Sequence, residues 1–304
     1  MFSRSVVFFL LLSVAFALDG PIASMCVAVE DAPSKEHPAP LFFFENALRT
    51  PGAQGTFSLE EYEARVRRCR EMGYAGAEVS VGPDFARKKA ILLQQGLKPF
   101  TTYVGIRVND PENPFVPGLR EAIEGLKGTG AVVNLYLLGV PSGQDIEKND
   151  PIAVRRIRQV ADWAADSGLK VALYPHAFFY VDKVEDAVRL LQKADRPNLG
   201  LIFNLCHWLK VQGPGDLDGV LQAAKPYLYC VSVNGADAGG QDWDALIRPL
   251  GEGDFDVALV VKKLREIGYT GPYGLQCYNI NLQPEDHLGR SIRAWKTIWA
   301  DSFR

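Results

Sequence analysis

Polar side chains follow a short apolar run in the segment 200–210, GLIFNLCHWLK. The apolar residues 201–203 are typical of a buried strand, and Asn204 and His207 come directly after them. An imidazole can give or take a proton near neutral pH, and an amide both donates and accepts hydrogen bonds. A strand that ends in these two groups indicates a binding or catalytic site.

Four other apolar runs end in the same way. Their polar residues are Glu78 and Ser80, Tyr174 and His176, Ser232 and Asn234, and Gln276. Residues two apart on a strand point to the same side, so each of these pairs can face one cavity. Because polar groups are costly to bury without partners, we predict a polar ring around a site. The alternative is that each strand merely becomes polar where it leaves the core.

Two histidines and a glutamate are the candidate catalytic residues. His176 and His207 titrate in the range that suits an acid and a base, and Glu78 is a third candidate. The alternative for each histidine is a purely structural hydrogen bond.

The candidate binding residues combine hydrogen-bonding groups with aromatic rings. Hydroxyl and amide groups match sugar hydroxyls, which both donate and accept, and aromatic rings could supply faces for a pyranose. The predicted substrate-binding residues are Tyr174, Asn204, Trp208, Ser232, Asn234, Gln276 and Tyr278. For Trp208 the alternative is packing against a neighbouring helix.

Strand and helix patterns alternate along the chain from residue 41 onward. Eight of each over roughly 260 residues fit the size of a (β/α)8 barrel. Ser58 and Glu61 predict a capped helix start, and Asp150-Pro151 predicts the start of a later helix. We therefore predict an α/β fold, a single-domain TIM barrel over residues 41–304, with the polar ring at the C-terminal ends of its strands. A doubly wound sheet is the alternative, but residues 42–52 lack its usual Gly-rich phosphate loop.

The first 40 residues have a different character. Residues 1–17 combine one Arg, an apolar run and a small-x-small pattern at Ala15 and Ala17, which is typical of a secretory signal peptide. We predict a signal peptide over residues 1–24, cleaved near Ala17 or later, and a polar, Pro-rich linker over residues 25–40. The protein would then be exported, periplasmic or extracellular, with no stable membrane insertion after cleavage. The alternative is an uncleaved anchor.

Composition argues against several other classes of function. The 304 residues carry a net charge of −3, which gives no basic surface for nucleic acid. The five cysteines predict buried free thiols rather than a disulfide framework. No cluster of Arg and Lys indicates a phosphate site, and the sequence does not specify the oligomeric state.

Four motifs resemble the sugar phosphate isomerase/epimerase group, whose members have the xylose isomerase-like TIM barrel. They are GYAGAEVS on the second strand, ALYPH after the fifth, the N-x-x-H of NLCH, and PLGEGDFD before the last helix and strand. The resemblance covers the chain from about Leu41 to Trp299. It implies the barrel fold and a site at the C-terminal mouth.

The resemblance also implies a divalent metal, and the sequence departs from the family at the ligand positions. The family pattern has Glu, Asp, His and Glu at the ends of strands five to eight. This chain has Tyr174, Asn204, Ser232 and Gln276 there, while His176 and His207 match histidines of the pattern. Amides keep the shape of carboxylates without their charge, so we predict no metal and no other cofactor. A His/Cys zinc site using Cys206 and Cys277 is the alternative, but the alternation of side chains should turn both thiols away from the mouth.

The sequence thus predicts a sugar isomerase/epimerase-like enzyme whose partner is a small-molecule carbohydrate or sugar-like carbonyl compound. His176 and His207 would transfer the proton at the mouth of the barrel. One alternative is a non-catalytic carbohydrate-binding barrel that has lost its metal site. A glycoside hydrolase would need two carboxylates, for which Glu45 and Glu78 are the available pair.

Overall fold

The computed structural model describes residues 33–52 and 57–304, which form one compact unit from Pro33 to Arg304. The predicted signal peptide, its cleavage site and the linker before residue 33 lie outside the described residues. Eight parallel strands pair in chain order and close into a barrel, because β1 also pairs with β8. The strands are β1 Leu41–Phe43, β2 Gly76–Glu78, β3 Lys98–Arg107, β4 Val132–Leu138, β5 Lys170–Leu173, β6 Leu199–Asn204, β7 Leu228–Val233 and β8 Tyr273–Leu275.

Helices connect the strands and cover the outside of the barrel. In the described part of the chain they are α1 Leu59–Met72, α2 Phe85–Gln94, α3 Leu119–Gly125, α4 Ile146–Asp166, α5 Val184–Ala194, α6 Leu205–Gln212, α7 Leu217–Ala224, α8 Trp243–Leu246, α9 Val257–Glu266 and α10 Pro284–Asp301. Two short 3-10 helices lie at Glu45–Leu48 and Lys225–Tyr227. The predicted (β/α)8 barrel is confirmed.

Aromatic side chains fill the inside of the barrel next to glycines on neighbouring strands. Phe42, Tyr174 and Ile202 form an inner cluster separate from the layer between strands and helices. On β3, a Cβ at Gly105 would lie 2.7 Å from the Tyr136 ring. The absence of that Cβ lets Tyr136 stack on Tyr103, with 4.4 Å between ring centroids. The interior is therefore packed up to the mouth, where the site begins.

Local sequence signals place one helix start correctly and another wrongly. Ser58 caps α1 and forms the predicted reciprocal pair with Glu61. The predicted start at Asp150-Pro151 is wrong, because α4 begins at Ile146 and contains Pro151. Asp150 does not cap a helix. It is 1% exposed and pairs with cations of α5.

The segment 33–40 is held against the last helix by two indoles. Trp295 Nε1 donates to the Ala39 carbonyl at 2.9 Å, and Trp299 Nε1 donates to the Ser34 carbonyl at 2.6 Å. The predicted linker thus joins the barrel over these residues. Within residues 33–52 and 57–304, no helix is both long and apolar enough to cross a membrane.

Candidate active site

A cavity of about 400 Å³ opens at the C-terminal ends of the strands. We call it the histidine cavity. Six predicted residues line it, namely Glu78, Tyr174, His176, His207, Gln276 and Tyr278. Further lining residues that the sequence analysis did not single out as site residues include Phe44, Asn46, Tyr103, Phe179, Trp243 and Ile247. The structure therefore gathers residues from seven of the eight strands, or from the connections that follow them, at one place.

The two histidines are in direct ring contact. The ring centroids of His176 and His207 are 3.9 Å apart, with 37° between their planes. Phe179 stacks on His176 at 4.0 Å, and the edge of Trp243 meets His207 at 5.3 Å. The pair is thus fixed between two aromatic side chains that the β5–α5 and β7–α9 connections supply.

Backbone hydrogen bonds give the two neutral imidazoles opposite tautomers. Nδ1 of His176 lies 3.0 Å from the Ala177 carbonyl, so this nitrogen must carry the proton and Nε2 keeps its lone pair. The Ala177 N–H donates to Nδ1 of His207 at 3.3 Å, so His207 carries its proton on Nε2. One histidine therefore offers a proton acceptor and the other offers a donor.

Burial keeps both histidines uncharged at neutral pH. It lowers the pKa of His176 below its ordinary value. The pKa of His207 lies well below its ordinary value because of burial and, second, repulsion from a charged His176. A neutral imidazole with a free Nε2 is the form that can act as a base.

Glu78 occupies the opposite side of the mouth, since β2 and β6 are four strands apart in the closed barrel. Its carboxylate accepts hydrogen bonds from the Glu45 N–H at 3.2 Å and from Ser80 Oγ at 3.3 Å. Lys88 forms its ion pair with Glu45. Burial, with the nearby charge of Glu45, raises the pKa of Glu78 to about 8, so its carboxyl is largely protonated at neutral pH.

Tyr174, Asn204 and Gln276 form a hydrogen-bonded group at the base of the cavity. The Asn204 side-chain amide donates to the Tyr174 hydroxyl oxygen, as does Nε2 of Gln276 at 3.3 Å. Asn204 is buried beneath the cavity lining, and its Oδ1 accepts the His207 N–H at the start of α6 at 3.4 Å. Asn204 thereby positions the helix that carries His207, and it is not itself a lining residue.

Three predicted binding residues lie away from the cavity. Trp208 packs in the core against Phe203 and Phe255, at centroid distances of 5.8 and 6.4 Å. Asn234 donates to the carbonyls of Gly235 and Leu246, which holds the β7–α9 connection. Ser232 is fully buried, and its Oγ has no hydrogen-bond partner in the described part of the chain. The alternative given for Trp208 was packing against a neighbouring helix; its ring contacts here are Phe203 of β6 and Phe255 before α9.

Some of the other lining residues could be identified from the sequence, and some could not. Tyr103 lies on β3, and the same two-residue alternation that singled out Glu78 could have found it. Asn46 lies in the short helix after β1, and Trp243 lies in the insertion after β7. Nothing in the local sequence directs those two side chains to the mouth.

The groups at the strand ends do not fit a divalent metal ion. Gln276 Oε1 already accepts hydrogen bonds from Asn46 Nδ2 and from the N–H groups of Cys277 and Tyr278. Asn204 Oδ1 is likewise occupied by Cys206 and His207 donors, and neither amide carries charge. Hard divalent ions need anionic or several free donor atoms. Across residues 33–52 and 57–304, no three His, Cys, Asp or Glu side chains are grouped to hold a metal.

The four cysteines in the described part of the chain are buried and unpaired. They are Cys69, Cys206, Cys230 and Cys277. Burial raises the pKa of the Cys69 and Cys230 thiols to about 12, which keeps them protonated. None of the four lines the histidine cavity.

Comparison with known proteins identifies the family. A family model described as "Xylose isomerase-like TIM barrel" matches residues 66–298, more than half of the chain. The chain belongs to the xylose isomerase-like TIM barrel family. This confirms the resemblance stated from the four motifs.

Two similar proteins have names that give different activities. A 3-dehydroshikimate dehydratase of Pseudomonas aeruginosa is 31% identical over 128 residues, covering 40% of this chain and 20% of that protein. An L-ribulose 3-epimerase of a Methylomonas species is 24% identical over 168 residues, covering 54% of each. This chain thus spans about a fifth and about half of those two relatives.

The solved structure of the IOLI protein with a binding zinc atom has the same barrel. Its TM-score is 0.68 at 18% identity, over 85% of this chain and 97% of that one. At this identity the likeness shows the shared fold alone. The family barrel of this chain therefore keeps its architecture while its strand ends carry neutral groups.

Proposed function

We propose that this protein is a sugar isomerase or epimerase-like enzyme that moves a proton next to the carbonyl of a carbohydrate or sugar-like compound. One observation carries the proposal: the two neutral histidines of opposite tautomer, 3.9 Å apart, lie across the mouth from Glu78. A reaction of this kind needs a base on the carbon acid and a donor at the carbonyl oxygen.

The protonation state of each residue determines its role. His176 Nε2, which keeps its lone pair, takes the proton from carbon. The Nε2–H of His207 and the protonated carboxyl of Glu78 donate hydrogen bonds to the carbonyl oxygen, where negative charge develops. An epimer forms when the Glu78 carboxyl, across the mouth from His176, delivers its proton to the opposite face of the same carbon, after which Glu78 and the protonated His176 exchange protons with solvent. An isomer forms when His176 returns the proton to the carbonyl carbon, while the carbonyl oxygen takes the Glu78 proton and the hydroxyl on the first carbon returns one to Glu78.

The substrate class rests on the character of the cavity. Its walls are aromatic, with polar atoms only at a few points, and at neutral pH His176 and His207 are uncharged and Glu78 is largely protonated. Such a site suits a neutral polyhydroxylated ring rather than a phosphorylated or strongly ionic ligand. The name of one relative, an L-ribulose 3-epimerase, supports the same class.

We further propose that the reaction is independent of metal and that the protein acts outside the cytoplasm. The first follows from the neutral, already hydrogen-bonded groups at the strand ends. The second follows from the signal-peptide pattern in residues 1–17. A non-catalytic carbohydrate-binding barrel is the second candidate, supported by the same neutral amides at the strand ends.

Deuterium exchange tests the reaction whichever product it gives. The purified protein is incubated in D2O with a panel of aldoses, ketoses and keto-glycosides, with and without EDTA, and NMR detects deuterium next to the carbonyl. We expect exchange that survives EDTA and that falls by about 10²- to 10⁴-fold in His176→Gln. His37→Gln, which alters an exposed histidine, is the control. Binding without any exchange would identify the binding-protein candidate instead.

A further inference from the structure

A second cavity of about 660 Å³ adjoins the histidine cavity. It is lined by side chains that the proposed reaction does not use, among them Glu45, Asn281 and His287. The two cavities share four residues, namely Asn46, Glu78, Tyr103 and Tyr278. The two cavities therefore meet at these four side chains.

Two buried atoms of the second cavity are hydrogen-bond acceptors without a donor. Asn46 Oδ1 and His287 Nδ1 have no hydrogen-bond partner among residues 33–52 and 57–304. His287 is 1% exposed, and burial lowers its pKa to about 4, opposed by a hydrogen bond between the ring and the Ala47 backbone. Because Nδ1 has no partner, we infer that Nε2 makes this bond. Nδ1 of the neutral ring is therefore an acceptor that the protein leaves unpaired. Unpaired buried acceptors are costly, and both belong to residues that line the second cavity.

The missing donors are of the hydroxyl type rather than the ammonium type. The Glu45 carboxylate is already paired with Lys88, and Arg49 and Asp244 contribute one charge of each sign. The cavity thus lacks the surplus negative charge that would bind a cation. Sugar hydroxyls donate and accept, so one ring with several hydroxyls can satisfy both unpaired acceptors.

The shared aromatic side chain suits a ligand with two rings. Tyr278 lines both cavities and is 58% exposed, which leaves its ring available for contact. Ligand cavities of about 300–1,000 Å³ enclose drug-sized molecules, and here two such cavities lie side by side. A single monosaccharide would leave one of them to water.

We propose that the substrate is a disaccharide or other glycosylated sugar. Its carbonyl-bearing unit lies in the histidine cavity, and its second sugar-like unit lies in the second cavity against Asn46 and His287. This inference rests on the proposed function and adds the substrate class. The step at carbon is unchanged, because the second unit contributes binding and no chemistry.

Matched ligands and one pair of variants test the proposal. Calorimetry compares D-glucose and D-galactose with cellobiose, maltose and lactose on the native protein. We expect at least one disaccharide to bind about tenfold or more tighter than its free monosaccharide, as two added hydrogen bonds imply. Asn281→Trp fills the second cavity from an exposed loop and should remove that advantage while leaving monosaccharide binding unchanged.

Gln283→Trp is the control, because it adds the same bulk to an exposed residue of the same loop that lines neither cavity. Equal affinity for disaccharides and monosaccharides would overturn the two-cavity inference and leave the proposed function standing. An Asn281→Trp variant that weakened both ligands equally would overturn it as well. If neither class binds, and no deuterium exchange occurs on the wider panel, the proposed function itself fails.

Discussion

Burial lowers the pKa of His176 and His207 and raises the pKa of Glu78, and both shifts favour the uncharged form. His176 and His207 lose the proton that they would carry in acid, and Glu78 keeps the proton that a carboxyl normally loses. Both shifts arise because a charge is less well solvated inside the mouth than in water. The cavity therefore contains a base and two donors without a net charge.

The raised pKa of Glu78 predicts a pH-dependent cost in stability. The carboxyl has a pKa of about 8 in the folded state against 4.5 in the unfolded chain, so the folded state holds more protons between these values. The free energy of unfolding should then fall as pH rises from about 4.5 to 8. Glu78→Gln lacks this loss. Its free energy of unfolding relative to the wild type should therefore rise by up to about 1.4 kcal/mol per pH unit over this range.

Denaturant unfolding of both proteins from pH 5 to 8.5 measures this difference. Glu36→Gln is the control, because Glu36 is exposed and its removal should not change the slope with pH. A constant difference between Glu78→Gln and wild type at every pH would contradict a raised pKa.

The connection between β5 and α5 brings His176 to the mouth and is anchored from below. Tyr180 Oη donates to Asp150 at 2.6 Å, and Arg189 and Lys193 of α5 pair with the same carboxylate at 3.1 and 2.6 Å. Burial alone would raise the pKa of Asp150, but the hydrogen bonds from Lys193, Tyr180 and Arg189 outweigh it and keep that pKa below its ordinary value. One carboxylate thus joins α4, α5 and the segment that holds the histidine.

Asp150→Asn should destabilise the protein more than loss of an exposed ion pair. The variant leaves two partly exposed cations and the Tyr180 hydroxyl without their charged acceptor, at a cost of about 1–3 kcal/mol. Asp162→Asn is the matched control, since Asp162 lies on the same helix and pairs with Arg196 in solvent, where a pair contributes about 0–1 kcal/mol. Urea unfolding midpoints measure both. Equal effects would show that Asp150 is no more important than a surface pair.

Elements with a strong local pattern could be predicted, and those decided by distant partners could not. α1 starts after Ser58, as predicted, because a capping box is a local signal. The helix start predicted at Asp150-Pro151 was wrong because the partners of Asp150 lie about forty residues away on α5. Local propensity alone cannot reveal such an ion pair.

The candidate site likewise contains residues that the sequence could identify and contacts that it could not. His176, His207 and Glu78 were found from their place at strand ends, which the barrel then brought together. Lys88 pairs with Glu45, which leaves Glu78 as the protonated carboxyl. The sequence could not reveal this pairing, because the two residues are 43 positions apart. Trp208 follows β6 in sequence, but the immediate start of α6 at Leu205 turns its ring into the core.

At the scale of the whole molecule, two sets of contacts join the beginning of the described unit to its end. The first strand pairs with the last, and the segment before β1 is held by the two indoles of α10. Trp295 and Trp299 also contact the Tyr273 ring at 5.0 and 6.1 Å, which ties this helix to β8. The beginning and the end of the described unit therefore support each other.

Trp299→Phe tests that support. The change keeps an aromatic ring and removes the N–H donor to the Ser34 carbonyl, together with part of a buried side chain. We expect a loss of about 1–3 kcal/mol in the free energy of unfolding. Trp163→Phe on α4 is the control, since Trp163 is only partly buried. Circular dichroism during thermal unfolding measures both, and an unchanged midpoint for Trp299→Phe would argue against the indole contact.

The direction of α10 determines which face of the barrel a tether at the end of this helix would occupy. Helices run antiparallel to the strands they cover, so α10 ends at the face opposite the mouth. A tether added after Arg304 would leave from that far face. Protein immobilised on a sensor chip in this way would present its mouth to the flowing solution, which makes the barrel suited to label-free screening of sugar libraries.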